Sequence, residues 1–268
     1  AGLGTRLFTI TKENPKEMVP VFYKTKDNLI LLKPLLEIIF ENLYDSGFRN
    51  FCFIVGRGKE TIENHLSPHY DFVELLKKKG ENDYAKILSN LYKKIEKSSI
   101  IWIRQHSLNG IGSATMLAKD YVGNNPFLFH AGDLYIPKTK YLKDMIKVHE
   151  KFNPTATIGL KKVKDPRRYG VASFKKNNGK LEITKVVEKP KNPLSNYVLT
   201  IYLSNLILRT IYDRKSKIFI EKNNEKDSIF LVSAIFRLSP HRDHRLSPSS
   251  PHWKQFKQAI SALPGTGN

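Results

Sequence analysis

Two stretches near the start of the chain, AGLGTR at residues 1–6 and PKEMVP at residues 15–20, decide which fold to expect. The two glycines of the first stretch carry no Cβ, so the main chain can bring its N–H groups against phosphate oxygens. Arg6 and Lys16 add positive charge close to this loop. Glycine alone is more often a turn residue than a ligand residue, but its combination with these basic side chains predicts a binding site for a nucleoside triphosphate.

Downstream, strand-like and helix-like segments alternate, which is typical of an α/β protein. Pro34 suits the first turn of a helix, and apolar residues then recur at helical spacing up to Gly47. Apolar periodicity predicts further helices over 59–65, 74–79 and 84–95, and another from just after Gly112 to Tyr121. It predicts strands over 51–55, 99–104, 127–130, 182–187 and 197–203, and residues 169–172 lead into one more strand.

An acidic residue follows one of these strands directly, in the segment Ala131-Gly132-Asp133. In open α/β sheets, ligands bind outside the carboxyl ends of the strands. A carboxylate there can hold a divalent cation that bridges nucleotide phosphates, although an aspartate in such a place can also be a turn or cap residue. Asp133 is therefore a candidate metal ligand.

Gln105 follows the strand predicted over 99–104 and precedes a glycine pair, Gly110 and Gly112. A glutamine amide offers one donor group and one acceptor, so it can complement the O4 and N3–H edge of uracil or thymine. Cytosine presents the opposite pattern. Gln105 can equally be an ordinary surface residue, and the amide alone does not decide between the two.

The sequence GLGTR followed by TKENPKEMVP resembles the signature of the sugar-1-phosphate nucleotidyltransferases, most closely those that use UTP and glucose 1-phosphate. The resemblance extends to about residue 196. It implies a Rossmann-like three-layer α/β/α fold with a mixed, mostly parallel central sheet. It also implies formation of UDP-glucose and pyrophosphate, with Mg²⁺ as cofactor and a homo-oligomer of two or four chains.

The same resemblance assigns roles to particular residues. It implies nucleotide binding by Ala1, Gly2, Gly4, Thr5, Gln105 and Gly110. It implies sugar-phosphate binding by Gly170, Glu188 and Lys189, which lie in the YGV and EKP segments. Finally, it implies catalytic roles for Arg6, Lys16 and Lys189, and a Mg²⁺ ligand at Asp133.

The chain departs from the family pattern in three places. The family's central first strand precedes the glycine loop, whereas this sequence begins at Ala1, so we expect strand edges without their usual neighbour. Ser113 stands where the family usually has histidine, and Ser233 where it has a late aspartate, with Asp243 only a weak substitute. We expect a nucleotidyltransferase domain over 1–236 and an atypical Pro- and Ser-rich tail over 237–268.

Composition sets the outer limits. The chain carries 45 Lys and Arg residues against 25 Asp and Glu, a formal net charge of +20. The lysines are scattered, which favours a solvated basic surface over a nucleic-acid interface. No apolar run reaches the ~18 residues of a membrane span, and no leader-like segment is recognisable. Cys52 is the single cysteine and is expected to be a buried thiol without a disulfide partner. Together, these observations lead us to expect a soluble cytoplasmic protein.

Two alternatives stay open. A glucose-1-phosphate thymidylyltransferase has a similar glycine loop and a similar glutamine. A non-catalytic module that binds sugar nucleotides, or RNA given the charge, would also explain the altered late segments.

Overall fold

The described part of the chain begins with a short turn and a β-hairpin. In the computed structural model the described residues are 14–25, 27–107, 110–123, 125–136, 139–152, 156–177, 180–204, 218–222 and 228–233. A 3-10 turn over Lys16–Met18 leads into strand β1, Pro20–Lys24, which pairs antiparallel with β2, Ile30–Pro34. Asn28 closes the hairpin with a φ of 64°, a left-handed conformation that asparagine tolerates.

Helix α1, Leu35–Asp45, starts directly after Pro34, as the sequence predicts. The chain then turns at Gly47, whose φ of 107° favours glycine, into strand β3, Asn50–Val55. Three helices follow, and they confirm the predicted periodicity: α2 over Glu60–His65, α3 over Tyr70–Lys78 and α4 over Asn82–Glu96. Strand β4, Ser99–Arg104, returns parallel to β3 with Asn50 opposite Ser99.

The main core lies where α1 to α4 cover these two strands. Phe40 of α1 is 1% exposed, and it packs against Phe51 of β3 with ring centroids 4.9 Å apart. Val73 of α3 and Leu91 of α4 are buried in the same cluster. Cys52 is half-buried and forms no disulfide, and burial raises the pKa of its thiol.

Buried charge joins β2 to α1 and α2. Lys33 lies with its Nζ 2.7 Å from Glu37 Oε1 and also pairs with Glu41, while His65 Nε2 lies 2.8 Å from Glu37 Oε2. Burial alone would raise the pKa of Glu37, but the hydrogen bond from His65 and the charge of Lys33 lower it below its ordinary value. The carboxylate is therefore ionised and compensated inside the fold.

The second half of the chain supplies a larger sheet. It contains helices α5 (Gly110–Leu117), α6 (Lys119–Val122) and α7 (Thr139–Phe152). Its strands are β5 (Phe127–Phe129), β6 (Ala156–Lys162), β7 (Gly170–Asn177), β8 (Lys180–Glu188), β9 (Tyr197–Ser204), β10 (Ile218–Lys222) and β11 (Ser228–Ser233).

These strands are ordered β10-β11-β6-β9-β7-β8, and β5 pairs with β9 beside the main path. All described pairs of this sheet are antiparallel, so the only described parallel pair is β3 with β4. The sheet pairing is thus mixed, with a smaller share of parallel pairs than the resemblance implies. One reason is local: only residues 178–179 separate β7 from β8, whereas a parallel connection needs a crossover of about a dozen residues or more.

Helix α7 packs on the larger sheet against β6, β9 and β11, and it also contacts α1. Its buried face contains Leu142, at 2% exposed, and Met145, at 1%. Asn42 of α1 donates a hydrogen bond to the Ile136 carbonyl just ahead of α7. This packing brings the end of β5 close to the start of α1. Among the described helices, none has the length and apolar character needed to cross a bilayer.

Candidate active site

A cavity of about 1270 Å³ lies between β3 and β5. All residues of both strands line it, and so do Lys16, Gln105 and Asp133. Among the described residues, β3 pairs with a strand on one edge only, which is β4. Strand β3 lines the cavity along its whole length. Three of the predicted site residues therefore share one cavity. Two of them, Gln105 and Asp133, follow the carboxyl ends of β4 and β5, which is where α/β sheets bind ligands.

Lys16 and Asp133 form an ion pair in this cavity. The Lys16 Nζ lies 2.6 Å from Asp133 Oδ2, although the two residues are 117 positions apart in the sequence. Lys16 is in the 3-10 turn, and Asp133 is in a turn after β5 in which the Leu134 N–H donates to the Ala131 carbonyl. Both side chains are partly exposed, so an anionic ligand can reach the amine and a cation can reach the carboxylate.

A second ion pair lines the same cavity. The Lys59 Nζ is 2.7 Å from Glu17 Oε2, and both residues line the cavity. Gly132 approaches the same glutamate so closely that a Cβ on it would lie 3.0 Å from Glu17 Cγ. The loop Gly56-Arg57-Gly58-Lys59, which follows β3, was not singled out in the sequence. Glycine-flanked basic residues at the end of a strand are the signal that could have pointed to it.

Gln105 is held at the end of β4, where its backbone N–H donates to the Val55 carbonyl at 2.8 Å. Its side chain is 5% exposed and lines the cavity. Neither the Nε2 nor the Oε1 atom has a hydrogen-bond partner within the described part of the chain. A buried amide in this state costs about 1–3 kcal/mol of stability, which a ligand with a matching donor and acceptor would recover.

His130 also lines the cavity, at the end of β5. Its Nδ1 lies 2.8 Å from the Ala131 carbonyl, and because a carbonyl only accepts, this nitrogen carries the proton. Burial lowers the pKa of His130, so the ring is neutral near pH 7. No sequence pattern singled out this histidine, because it is the last residue of the strand predicted over 127–130.

The predicted sugar-phosphate residues form a separate group. Gly170 at the start of β7 lies opposite Glu188 at the end of β8, and the Lys189 N–H donates to the Tyr169 carbonyl at 2.9 Å. Lys189 is exposed and has a φ of 46°, which is uncommon for a residue with a side chain. Gly170 and Lys189 are not among the residues that line the cavity.

The remaining predicted residues are placed as follows. Gly110 begins α5. Ala1, Gly2, Gly4, Thr5 and Arg6 lie outside the described residues, as do Asp243 and the tail over 237–268.

The single carboxylate of Asp133 fits a metal ion whose other ligands are phosphate oxygens of the substrate. Mg²⁺ is typically held by one or two carboxylates together with phosphate oxygens and water. Within the described ranges no group of three or more His, Cys, Asp or Glu side chains could hold a metal ion. Asp133 thus offers one carboxylate, and the phosphates of a nucleotide would have to supply further oxygen ligands.

Comparison with known proteins shows the family of the chain. Residues 1–229 match the family described as Nucleotidyl transferase. A protein of Methanocaldococcus jannaschii, provisionally named UTP--glucose-1-phosphate uridylyltransferase, is 34% identical over 223 residues, 82% of this chain and 71% of the relative. The chain belongs to the nucleotidyl transferase family.

Further relatives of this nucleotidyl transferase have the same name or the same fold. A UTP--glucose-1-phosphate uridylyltransferase of Staphylococcus epidermidis is 30% identical over 245 residues, which cover 89% of this chain and 79% of the relative. The structure of a UTP-bound UGPase from Acinetobacter baumannii superposes with a TM-score of 0.64 at 25% identity, covering 77% of this chain and 72% of that chain. The α/β nucleotidyltransferase fold class predicted from the sequence is thereby confirmed.

Proposed function

We propose that this nucleotidyl transferase joins UTP and glucose 1-phosphate, forming UDP-glucose and pyrophosphate. The observation that carries the proposal is the buried, unpaired amide of Gln105 on the same cavity as the Lys16–Asp133 ion pair. The names of the similar proteins support the same reaction.

The base is the first element of specificity. The amide of Gln105 can donate to O4 of uracil and accept from its N3–H, which would pair both side-chain atoms at once. Cytosine offers the reverse arrangement, so an amide held in the orientation that pairs with uracil would leave the cytosine edge unpaired. Thymine shares the uracil edge, so thymidylyl transfer is the alternative within the same reaction class.

The proposed reaction is in-line attack by a phosphate oxygen of glucose 1-phosphate on the α-phosphorus of UTP. A new P–O bond forms there, the bond to the bridging oxygen toward the β-phosphate breaks, and pyrophosphate leaves. Two anions must approach each other, so the task of the protein is positioning and neutralising charge. Lys16 and Arg6 would face the departing pyrophosphate. The family resemblance assigns Lys189 to the attacking phosphate and Glu188 and Gly170 to the sugar, although Gly170 and Lys189 do not line the cavity described above.

The metal proposal concerns Asp133. When bound, Mg²⁺ supplies positive charge against the triphosphate oxygens, and Asp133 together with those oxygens would hold it. In the free protein the ion pair with Lys16 keeps the carboxylate in place at the cavity. As the triphosphate arrives, the Lys16 ammonium can exchange its carboxylate partner for a phosphate oxygen, because both are anionic acceptors.

Pyrophosphate release tests the proposal. The purified chain is incubated with glucose 1-phosphate, Mg²⁺ and one of UTP, dTTP, CTP, ATP or GTP. We expect the fastest release with UTP, while faster release with dTTP would indicate the thymidylyl alternative. No release with any of the five would contradict transfer activity, and salt-sensitive RNA binding in its place would indicate a non-catalytic module.

Three further expectations are part of the proposal. They are a homo-oligomer of two or four chains, a nucleotidyltransferase domain over 1–236, and a cytoplasmic location. Light scattering, limited proteolysis and cell fractionation test them in that order.

A further inference from the structure

The Glu17–Lys59 ion pair has no part in the proposed reaction, although it lies on the cavity beside Lys16 and Asp133. We propose that Lys59 is a positioning residue: through Glu17 it fixes the 3-10 turn so that the Lys16 amine stays against Asp133. The role concerns nucleotidyl transfer and so rests on the proposed function.

The 3-10 turn has few bonds of its own. It covers three residues, with hydrogen bonds from the Met18 N–H to Pro15 O at 2.8 Å and from the Val19 N–H to Lys16 O at 3.2 Å. Successive side chains in a 3-10 turn point in directions about 120° apart. Lys16 and Glu17 therefore attach the turn to two different elements, the loop after β5 and the start of α2. The C-terminal side of the turn is also held, because Met18 packs against the main core and the Leu35 N–H donates to the Val19 carbonyl at 3.1 Å. Removing the Glu17 attachment therefore loosens the N-terminal side of the turn, where Lys16 lies.

Packing connects the two attachments. The position that a Cβ of Gly132 would take lies 3.0 Å from Glu17 Cγ and 3.9 Å from Glu17 Cβ. The stem of Glu17 thus rests on the residue directly before Asp133. Lys59 holds the far end of the same side chain, so it keeps this stem against the loop that contains Asp133. A displacement of Glu17 would change the Lys16–Asp133 geometry.

The surroundings of the pair distinguish it from an ordinary surface ion pair. The Lys59 and Glu17 side chains are 23% and 18% exposed, whereas Arg104 and Glu60, which also pair beside α2, are 51% and 55% exposed. Exposed ion pairs contribute little to stability. A partly buried charge that loses its partner is unfavourable where it lies, so its side chain moves toward water. Gly58, with a φ of +75°, makes the turn that brings Lys59 to the cavity.

Kinetics of single and double variants test the role. We expect Lys59→Met and Glu17→Gln each to lower kcat with UTP about 10- to 100-fold, with little change in KM, because the reactive geometry loosens. The double variant should be no worse than either single variant, and Lys59→Arg should restore most of the activity. Glu60→Gln, at the residue directly after Lys59 and the first of α2, is the matched control and should leave kcat unchanged.

A second measurement does not depend on activity. Acetylation of the Lys16 amine in the full chain, followed by mass spectrometry, reports how firmly Lys16 is held against Asp133. We expect faster acetylation of Lys16 in Lys59→Met, Glu17→Gln and Asp133→Asn than in the wild type or Glu60→Gln. A chain without transfer activity would contradict the proposed function and leave this comparison intact. Unchanged acetylation in both Lys59→Met and Glu17→Gln, or kcat losses that multiply in the double variant, would overturn the positioning role.

Discussion

Replacing Gln105 by leucine should make the free protein more stable and the nucleotide site less selective. The side chain is buried at the cavity wall with neither amide atom paired among the described residues. An unsatisfied buried polar group costs about 1–3 kcal/mol, and leucine removes that cost at similar volume. We therefore expect the free energy of unfolding to rise by about 1–2 kcal/mol, after a small loss for imperfect shape.

Binding should change in the opposite direction. Two hydrogen bonds to uracil at about 1–1.5 kcal/mol each amount to a loss of about 2–3 kcal/mol, or roughly 30- to 150-fold in the Kd for UTP. With the amide in the orientation that pairs with uracil, CTP gains nothing from it in the wild type, so the affinity for CTP should change much less. The preference for UTP over CTP should thus collapse in Gln105→Leu.

Chemical denaturation and calorimetric titration with both nucleotides measure the two effects. Thr157→Val is a matched control, because the buried Thr157 hydroxyl is paired with His149 Nδ1 at 2.8 Å, and its loss should lower stability by about 1 kcal/mol. A Gln105→Leu chain less stable than wild type would contradict the unpaired state of the amide. A chain that keeps its preference for UTP would refute the assignment of Gln105 as the base-reading residue.

Three other substitutions test the rest of the site and its support. Lys16→Met should lower the rate of pyrophosphate release about 10²- to 10³-fold, as the loss of a charge-stabilising group does, while circular dichroism shows an unchanged fold. Gly132→Ala should lower both the melting temperature and turnover, because its Cβ would lie 3.0 Å from Glu17 Cγ, whereas Gly112→Ala, with nothing within 4 Å, should affect neither adversely. The pKa of Glu37 is lower in the folded state than its ordinary value of 4.5. Its contribution to stability is therefore present above about pH 4.5 and is lost as the pH falls through the pKa of the folded state. The stability of Glu37→Gln should accordingly depend less steeply on acid pH than that of the wild type.

Local signals predicted the first half of the fold well. Pro34 and Gly47 bracket α1, and the apolar runs of β3 and β4 predicted two strands, which the structure pairs in parallel. These features depend on residues close in sequence, so periodicity and turn chemistry were sufficient.

The hairpin β1–β2 escaped prediction for a physical reason. Phe22 and Leu32 lie opposite each other on one face and are 81% and 62% exposed, so the apolar pattern of these strands does not mark buried positions. Helix α7 was missed as well, although its buried residues recur at helical spacing. Neither segment carries a motif that would have drawn attention to it.

Within the site, the sequence identified residues but not their partners. Lys16, Gln105 and Asp133 were singled out, and they share one cavity. The pairing of Lys59 with Glu17 was not foreseen, because the packing that joins residues 42 positions apart has no local signature. The predictions for Arg6 and for Lys189 remain predictions.

The backbone at Lys189 constrains any attempt to make this protein more heat-resistant. A φ of 46° is a conformation that glycine or asparagine adopts with less strain than lysine, so a design based on backbone energies would replace this residue early. That choice would also remove the amine proposed to bind the sugar phosphate. Stabilisation should therefore be sought elsewhere, because at this position thermal robustness and turnover are expected to be opposed.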